Sequence, residues 1–433
     1  MMTKKWQLYP TYKDSGVEWL GAIPEHWEVK KCKQLSLIKR GASPRPIDDP
    51  SFFDDDGAYS WVRISDVTAS NKYLETSEQK LSELGKSKSI ALEPGELFVS
   101  ICATVGKPII TNIKCCIHDG FVYFPFLKEN REYLFYIFSG GELYKGVGKQ
   151  GTQLNLNTDI IGDIKLPIPP LPEQQKIAQF LDQETSKIDK LITKKERLIE
   201  LLKEKRTALI SHAVTKGLNP DVPMKDSGVE WLGEIPEHWK VLLLKRIANI
   251  RYGLGQPPPE ILYGTPLIRA TNVKSGRIFQ KDMIYIDPKQ VPESRNAVLA
   301  AGEIIVVRSG AYTGDSALIP EEYHGSIAGY DMVTTVKEGS NQFIAWQLLS
   351  SEVRYIQFAF HQLRAAQPHL NAEELRGTII TFPPLPEQQK IAQFLDRETS
   401  KIDNLITKTR TSIDHLKEYR TALISAAVTG KID

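Results

Sequence analysis

Apolar and polar positions follow two rhythms that alternate twice along the chain. Ile177, Leu181, Ile188, Leu191, Leu198, Leu202 and Leu209 recur at three- and four-residue steps or their sum, interrupted by Glu184, Lys195 and Lys205. This spacing keeps one face of a helix apolar and makes a coiled-coil stripe. Pro170 and Pro172 stop any earlier structure, Pro172 suits a first helical turn, and Glu173 follows at the positive end of the helix dipole. Gly217 stands where a C-terminal cap belongs. A helix over 172–216 is expected, its stripe covering roughly 40 residues or about 60 Å. The pattern returns over 386–430 as Ile391, Leu395, Ile402, Leu405, Leu416 and Leu423, with Gly430 as the cap. Its middle is weaker, with Thr409 and Ser412 on the stripe and Ile413 one step off. Two such stripes in one chain can cover each other, and an antiparallel pair would relate the halves by a pseudo-two-fold axis.

Between the stripes the rhythm changes. Short apolar runs such as YSWVRI, GELFVSI and CCIHDGFVYFPF alternate with Gly, Pro, Asn and Asp, and TPLIRA, GEIIVVRSG and MVTTVKE occupy matching places later. Runs of that length between turn residues indicate β-rich globular domains with some helix.

The chain is built twice. PPLPEQQKIAQFLDQETSKIDKLI, starting at Pro169, recurs from Pro383 with only Gln183/Arg397 and Lys190/Asn404 different. KDSGVEWLGAIPEHWEV, from Lys13, recurs from Lys225 with 15 of 17 positions identical. These frames divide the chain into a lead-in (1–29), a variable domain (30–168), a helical spacer (169–217), a linker with the second lead-in (218–241), a second variable domain (242–382) and a second spacer (383–433). The expected fold class is α+β: two β-rich domains joined by two long helices in an antiparallel coiled coil.

Composition narrows the function. The 433 residues carry 55 basic and 53 acidic side chains, a net charge of +2, which is too balanced for a protein that coats DNA by its bulk field. No apolar run approaches the ~18 residues of a membrane helix. The opening MMTKKWQLYP lacks the apolar stretch of a signal peptide, so a cytoplasmic location without membrane contact is expected. The four cysteines show no CxxC spacing, and vicinal Cys115 and Cys116 read as small buried residues.

PLPEQQKIAQFLD in both copies, the WVRISDV and LIRATNV strands, the Gly-Glu-apolar strands and the GVEWLG–IPEHW lead-ins resemble the specificity subunit of type I restriction–modification enzymes over essentially the whole chain. The resemblance implies two target recognition domains, each reading one half of a bipartite double-stranded DNA site, spaced by the coiled coil. It also implies a subunit without catalysis of its own. Its partners would be two adenine methyltransferase subunits and two ATP-dependent restriction subunits. S-adenosylmethionine, ATP and magnesium would bind in those partners, leaving this chain with no cofactor.

The residues agree independently. Around Gly148-Lys149 a phosphate loop fails at Leu143, where the first glycine is needed, and at Gln150, where a hydroxyl is needed. No HExxH or Cys/His metal spacing occurs, nor an Asn-Pro-Pro-aromatic string. His26 and His238 sit in repeated EHW triplets, where packing beside Trp27 and Trp239 outweighs catalysis.

Base reading needs Arg, Lys, Asn or Gln on loops that reach a groove. Three loop pairs sit at equivalent places yet differ in sequence. KRGASPRP (39–46) answers to IRYGLGQPPP (250–259), SICATVGK (100–107) to VRSGAYTG (307–314), and GKQGTQLN (148–155) to LRAAQPHLN (363–371). They nominate Arg40, Arg45, Lys107, Lys149, Gln150 and Gln153 in the first half, and Arg251, Gln256, Arg308, Tyr312, Arg364, Gln367 and His369 in the second. Arg63 and Arg269 recur in both halves, which suits a phosphate contact or a structural ion pair. Glu173, Gln174, Gln175, Glu387, Gln388 and Gln389, identical in both frames, are candidates for docking identical partners. A competing reading is a non-enzymatic coiled-coil scaffold whose two domains bind protein or carbohydrate.

Overall fold

Both capped stripes are helices, Leu171–Lys216 and Leu385–Val428, of 46 and 44 residues. The longer spans about 69 Å at 1.5 Å per residue. Gly217 and Gly430 follow their ends with φ of +79° and +68°, the left-handed conformation in which a side chain is strained. The computed structural model describes residues 6–144, 149–150, 153–154, 156–359 and 369–433.

The stripe register differs from the expected one. Ile177, Leu181, Ile188, Leu202, Ile391, Leu395, Ile402 and Leu423 are buried, and Leu209 and Leu416 are half-buried. Leu191, Leu198 and Leu405 are instead 42, 41 and 45% exposed. Ile192, Ile199, Ile406 and Ile413 take their places inside. A helix turns about 100° per residue, so a one-residue offset moves a side chain from the seam to its flank. The true seam passes through Thr185, Thr399 and Thr409, all buried, and their polarity makes the leucine-only pattern look better than it is. Each threonine hydroxyl is satisfied by the carbonyl four residues back, at 2.6 to 2.7 Å.

The chain divides into two compact units, Met1–Lys194 with Thr411–Asp433, and Lys195–Arg410. Each holds one variable segment and a stretch of both helices. In the first unit Arg420 Nε donates to Asp189 Oδ1 at 2.9 Å, while the Tyr133 hydroxyl donates to the carbonyls of Pro167 and Val428. One helix therefore starts where the other ends, and the two stretches are antiparallel. In the second unit Arg206 Nε donates to Asp403 Oδ1 at 3.1 Å. The two pairs are one interaction with the roles of the repeats exchanged, since each partner lies 214 positions from its counterpart.

The first variable segment builds two sheets. One has five strands in the order Lys39–Arg40, Phe121–Tyr123, Leu97–Ser100, Pro108–Thr111 and Tyr73–Leu74. The other has four, Gln79–Leu81, Tyr59–Val62, Cys115–Ile117 and Ile90–Leu92. Successive strand residues face opposite ways, so Cys115 packs with Phe98 and Phe121 while Cys116 packs with Trp61 and Leu81. Burial pushes their thiols up, to about 12 and about 11, as two small core residues require.

The second segment repeats this plan. Its sheets are Ala248–Tyr252, Met332–Val336, Ile304–Val306 and Ser316–Leu318, and Glu260–Ile261, Ile284–Ile286, Thr265–Ile268 and Ile327–Ala328. In both units an antiparallel strand pair closes the domain beside its helix: Glu28–Lys31 with Lys165–Ile168, and Lys240–Leu243 with Ile379–Phe382.

Candidate DNA-contacting loops

Two backbone devices place corresponding loops. Gly41 N–H donates to Phe121 O, and Gly253 N–H to Asp331 O, both at 2.9 Å. A Cβ at either glycine would come within 2.2 Å of a carbonyl, that of His118 or Gly329. Gly106 and Gly314, at φ +85° and +83°, each return an N–H to the strand end at Ser100 O or Val307 O, at 2.8 Å. The two domains thus share a loop scaffold on which different side chains are mounted.

In the first unit that scaffold carries a charged cluster. Arg40 Nε donates to the Asp119 carbonyl, Ser43 Oγ donates to Asp119 Oδ1 at 2.9 Å, and Arg45 lies 3.4 Å from Asp119 Oδ2. The Ser43 bond outweighs burial and, with the Arg40 charge, holds the Asp119 carboxyl below its usual range. Arg45 is exposed and Arg40 half-committed, so both retain hydrogens for a phosphate or a base. Arg63 is exposed beside the short helix Ile64–Ala69, its own N–H bonded to Asp66 Oδ2 at 2.8 Å. Lys107 donates to Thr68 O at 3.0 Å, and burial lowers its pKa. Lys149 and Gln150 pair with Gln153 and Leu154 in a two-stranded hairpin, a suitable loop tip.

In the second unit Arg251 is not available to DNA. Its guanidinium grips Glu303 through Nη1 at 2.5 Å and Nη2 at 2.7 Å, and donates to Thr335 Oγ1, Asn296 O and Val298 O at 2.8 to 3.0 Å. All five of its N–H hydrogens are consumed. Burial pushes Glu303 up, but the bonds from Arg251, Ala300 N and Thr335 outweigh it and hold the carboxyl below its usual value. Arg269 is tied to Asp282 O at 2.8 Å, a structural role rather than an ion pair. Gln256 and Tyr312 are exposed, with Lys274 Nζ 5.6 Å from the Tyr312 ring centroid. Arg308 is held differently. It lies over the rings of Tyr252 and Tyr330, 4.6 and 4.2 Å from their centroids, and its Nη2 meets His369 Nε2 at 3.2 Å. Arg364 and Gln367 lie outside the described residues. Tyr330 and Asp119 carry no local sequence signal, because each meets its arginine only through the fold, Asp119 lying 79 and 74 positions from Arg40 and Arg45.

Four of the six docking candidates are committed within the chain. Gln174 is buried, donating to Pro169 O and Glu129 and accepting from Asn130 N; Gln388 is buried, donating to Pro383 O and accepting from Ser340 N. They hold the helix start onto its own domain and cannot reach a partner. Glu173 accepts from the Tyr9 hydroxyl at 2.7 Å, Trp27 Nε1 at 2.9 Å and His26 Nε2 at 2.9 Å. Burial raises its pKa, yet those three bonds prevail and the carboxyl sits below its usual range. Glu387 meets His238 Nε2 at 2.8 Å, whereas the buried Trp239 Nε1 has no partner. Both histidines therefore clamp a helix start. Gln175 and Gln389 are exposed and remain available.

Among the described residues no group of three or more His, Cys, Asp or Glu side chains is arranged to hold a metal ion, and no helix is long and apolar enough to cross a membrane.

The family model for the type I restriction modification DNA specificity domain matches twice, at residues 24–201 and 236–415. The chain is 26% identical over 447 residues to a putative type I restriction enzyme MjaX specificity subunit of Methanocaldococcus jannaschii, covering 95% of each chain. It is 22% identical to the type I restriction enzyme EcoKI specificity subunit of Escherichia coli, covering 95% of this chain and 90% of that one. Among solved structures, a chain from a study of assembly and conformational transition in a type I R-M system superposes with a TM-score of 0.72 at 13% identity, over 94% of this chain and 98% of the other. The HsdS subunit of Thermoanaerobacter tengcongensis gives 0.52 at 14% identity, over 97% and 100%. With the two matches covering most of its length, the chain belongs to the family of type I restriction modification DNA specificity domains.

Proposed function

We propose that this protein is the DNA sequence-recognition subunit of a type I restriction–modification complex, with residues 30–168 reading one half of a bipartite site and residues 242–382 the other. The observation that carries this reading is the double family match laid over two domains with one loop scaffold and different side chains upon it. A shared scaffold with divergent loops is what two unlike half-sites require. The helices then act as spacer and docking surface. Exposed Leu191 and Leu405, with Gln175 and Gln389, stand at matching places of the two helices and offer repeated contacts to identical partners. Those partners are two adenine methyltransferase subunits, which bring S-adenosylmethionine, and two restriction subunits, which bring ATP and magnesium. The chain itself supplies recognition and no chemistry. Long-read methylation sequencing of a host expressing the chain with its methyltransferase partner tests the proposal. Exchanging residues 30–168 for another such domain changes one half of the methylated motif only; change in both halves, or in neither, refutes the modular assignment.

A further inference from the structure

We propose that Arg308 reads a guanine in the half-site of the second domain, through two parallel hydrogen bonds from its guanidinium to guanine O6 and N7, with Tyr252, Tyr330 and His369 as positioning residues. The inference rests on the DNA-reading role above and deepens it to one residue and one base.

The arginines of this unit are used in different ways. Arg251 has every hydrogen committed, Arg354 faces the Asp315 carboxylate at 3.4 Å, and Arg277 faces Asp403 at 3.0 Å. Arg308 makes no salt bridge among the described residues. Two ring faces hold it instead, and an arginine on aromatic faces keeps its plane while its edge stays free to donate. Tyr252 is itself fixed, its hydroxyl accepting the Ala372 N–H at 2.9 Å. The Arg308 backbone is pinned on both sides, donating to Asp331 Oδ1 at 3.2 Å and accepting from Leu370 N at 2.7 Å.

The remaining hydrogens match the target. Nε is buried without a partner, so the side edge of the guanidinium is closed. One Nη2 hydrogen goes to His369 Nε2, which makes that nitrogen the acceptor and places the imidazole proton on Nδ1. Both hydrogens on Nη1 and one on Nη2 are left, an end-on fork. Tyr252 and Tyr330 are 42 and 47% exposed, so the site is open to solvent. A fork presented end-on by a rigid mount fits the adjacent acceptors O6 and N7, which guanine alone presents in the major groove. The corresponding position of the first domain is Ile101, buried and without polar atoms in its side chain, so the inference is confined to one half-site.

The test is long-read methylation sequencing of a host carrying the full chain and its methyltransferase partner, as native protein and as Arg308→Ala, Arg308→Lys, Tyr330→Phe and Tyr330→Ala. The native motif contains a G·C pair in the half that follows residues 242–382 when that domain is exchanged. Discrimination at that pair falls roughly 5- to 150-fold in both Arg308 variants, because lysine keeps the charge and loses the fork. The other half of the motif stays sharp. Tyr330→Phe keeps the ring and the native motif, and Tyr330→Ala relaxes the same position. Full discrimination in Arg308→Lys overturns the proposal, as does uniform loss of methylation with an unchanged motif, the mark of a phosphate contact. If Arg308→Ala abolishes methylation altogether, Arg308→Lys decides. A native bipartite motif lacking G·C in that half overturns this inference alone. Absence of any bipartite motif overturns the DNA-reading role and this inference with it.

Discussion

Arg251→Met in the second unit separates a structural arginine from a DNA contact. The Arg251 and Glu303 side chains keep only 20 and 10% of their exposure, and the pair is bidentate. Removing one member leaves a largely buried carboxylate with only Ala300 N and the Thr335 hydroxyl as donors. Breaking a buried pair costs about 3–5 kcal/mol. At about 1.4 kcal/mol per decade, amide exchange through opening of this sheet accelerates by a factor of about 150 to 4,000. Hydrogen exchange read at Ala248–Tyr252 in the full chain measures it, with Leu97–Ser100 of the first unit as an internal control that does not change. Arg251→Met with Glu303→Leu recovers most of the loss, because the apolar pair leaves no stranded charge. The effect has a pH signature. The Glu303 carboxyl is held below its unfolded value, so its stabilisation is present above the ordinary glutamate range and is lost as pH falls through the lowered folded value. Arg251→Met therefore costs less in acid than at neutral pH. Unchanged exchange at Ala248–Tyr252, accompanied by weakened DNA binding, would refute the structural assignment.

Other expectations follow from single contacts. Trp27→Phe and Trp239→Phe remove similar volume, but only Trp27 donates to a carboxylate; the first costs about 1.5–3 kcal/mol more, read by hydrogen exchange in each unit. Burial raises the Asp331 pKa from 3.8 to about 6. Its folded value lies above its unfolded one, so the penalty is absent below about pH 4, grows as pH rises and is complete above pH 6. Asp331→Asn then stabilises the second unit at pH 7 by up to about 3 kcal/mol and has little effect near pH 4, as denaturant titrations at the two pH values will show. Ile192→Ala destabilises by about 2–5 kcal/mol while Leu191→Ala stays within about 0.5 kcal/mol, and thermal melts that reversed this order would restore the leucine register.

The frame was legible because its signals are local. Proline at the helix start, glycine at +79° and +68° beyond each end, and a repeat of 22 identities in 24 all lie within short windows. The seam register was not legible. Thr185 looks like a solvent position until its hydroxyl is seen to bond the preceding turn, and Leu191 and Leu198 stand beside equally apolar Ile192 and Ile199, so hydropathy alone does not choose between the two registers. The site was legible at the level of loops and not of side chains. Arg251 and Arg308 look alike in sequence, each in a Gly-bearing loop. Glu303 stands 52 positions from the first, and Tyr330 stands 22 from the second. No periodicity connects such residues, because the fold alone brings them together.

The glycines explain why the two domains diverged as they did. A Cβ at Gly41 or Gly253 would sit 2.2 Å from a carbonyl oxygen, a backbone clash that no rotamer relieves. Those positions are fixed by sterics, and with them the direction in which each loop leaves its sheet. The next residue back has no such constraint. It is Arg40 in the first domain and Tyr252 in the second, paired at equivalent points of their sheets, with Val122 and Met332. An arginine there collects Asp119 and Arg45 around it, whereas a tyrosine becomes a face for Arg308. The constraint that preserves the mount therefore acts through the backbone, and the chemistry mounted on it changes by side chains alone. Under the proposed function, one fold can read two half-sites of different sequence because these two sets of positions do not overlap.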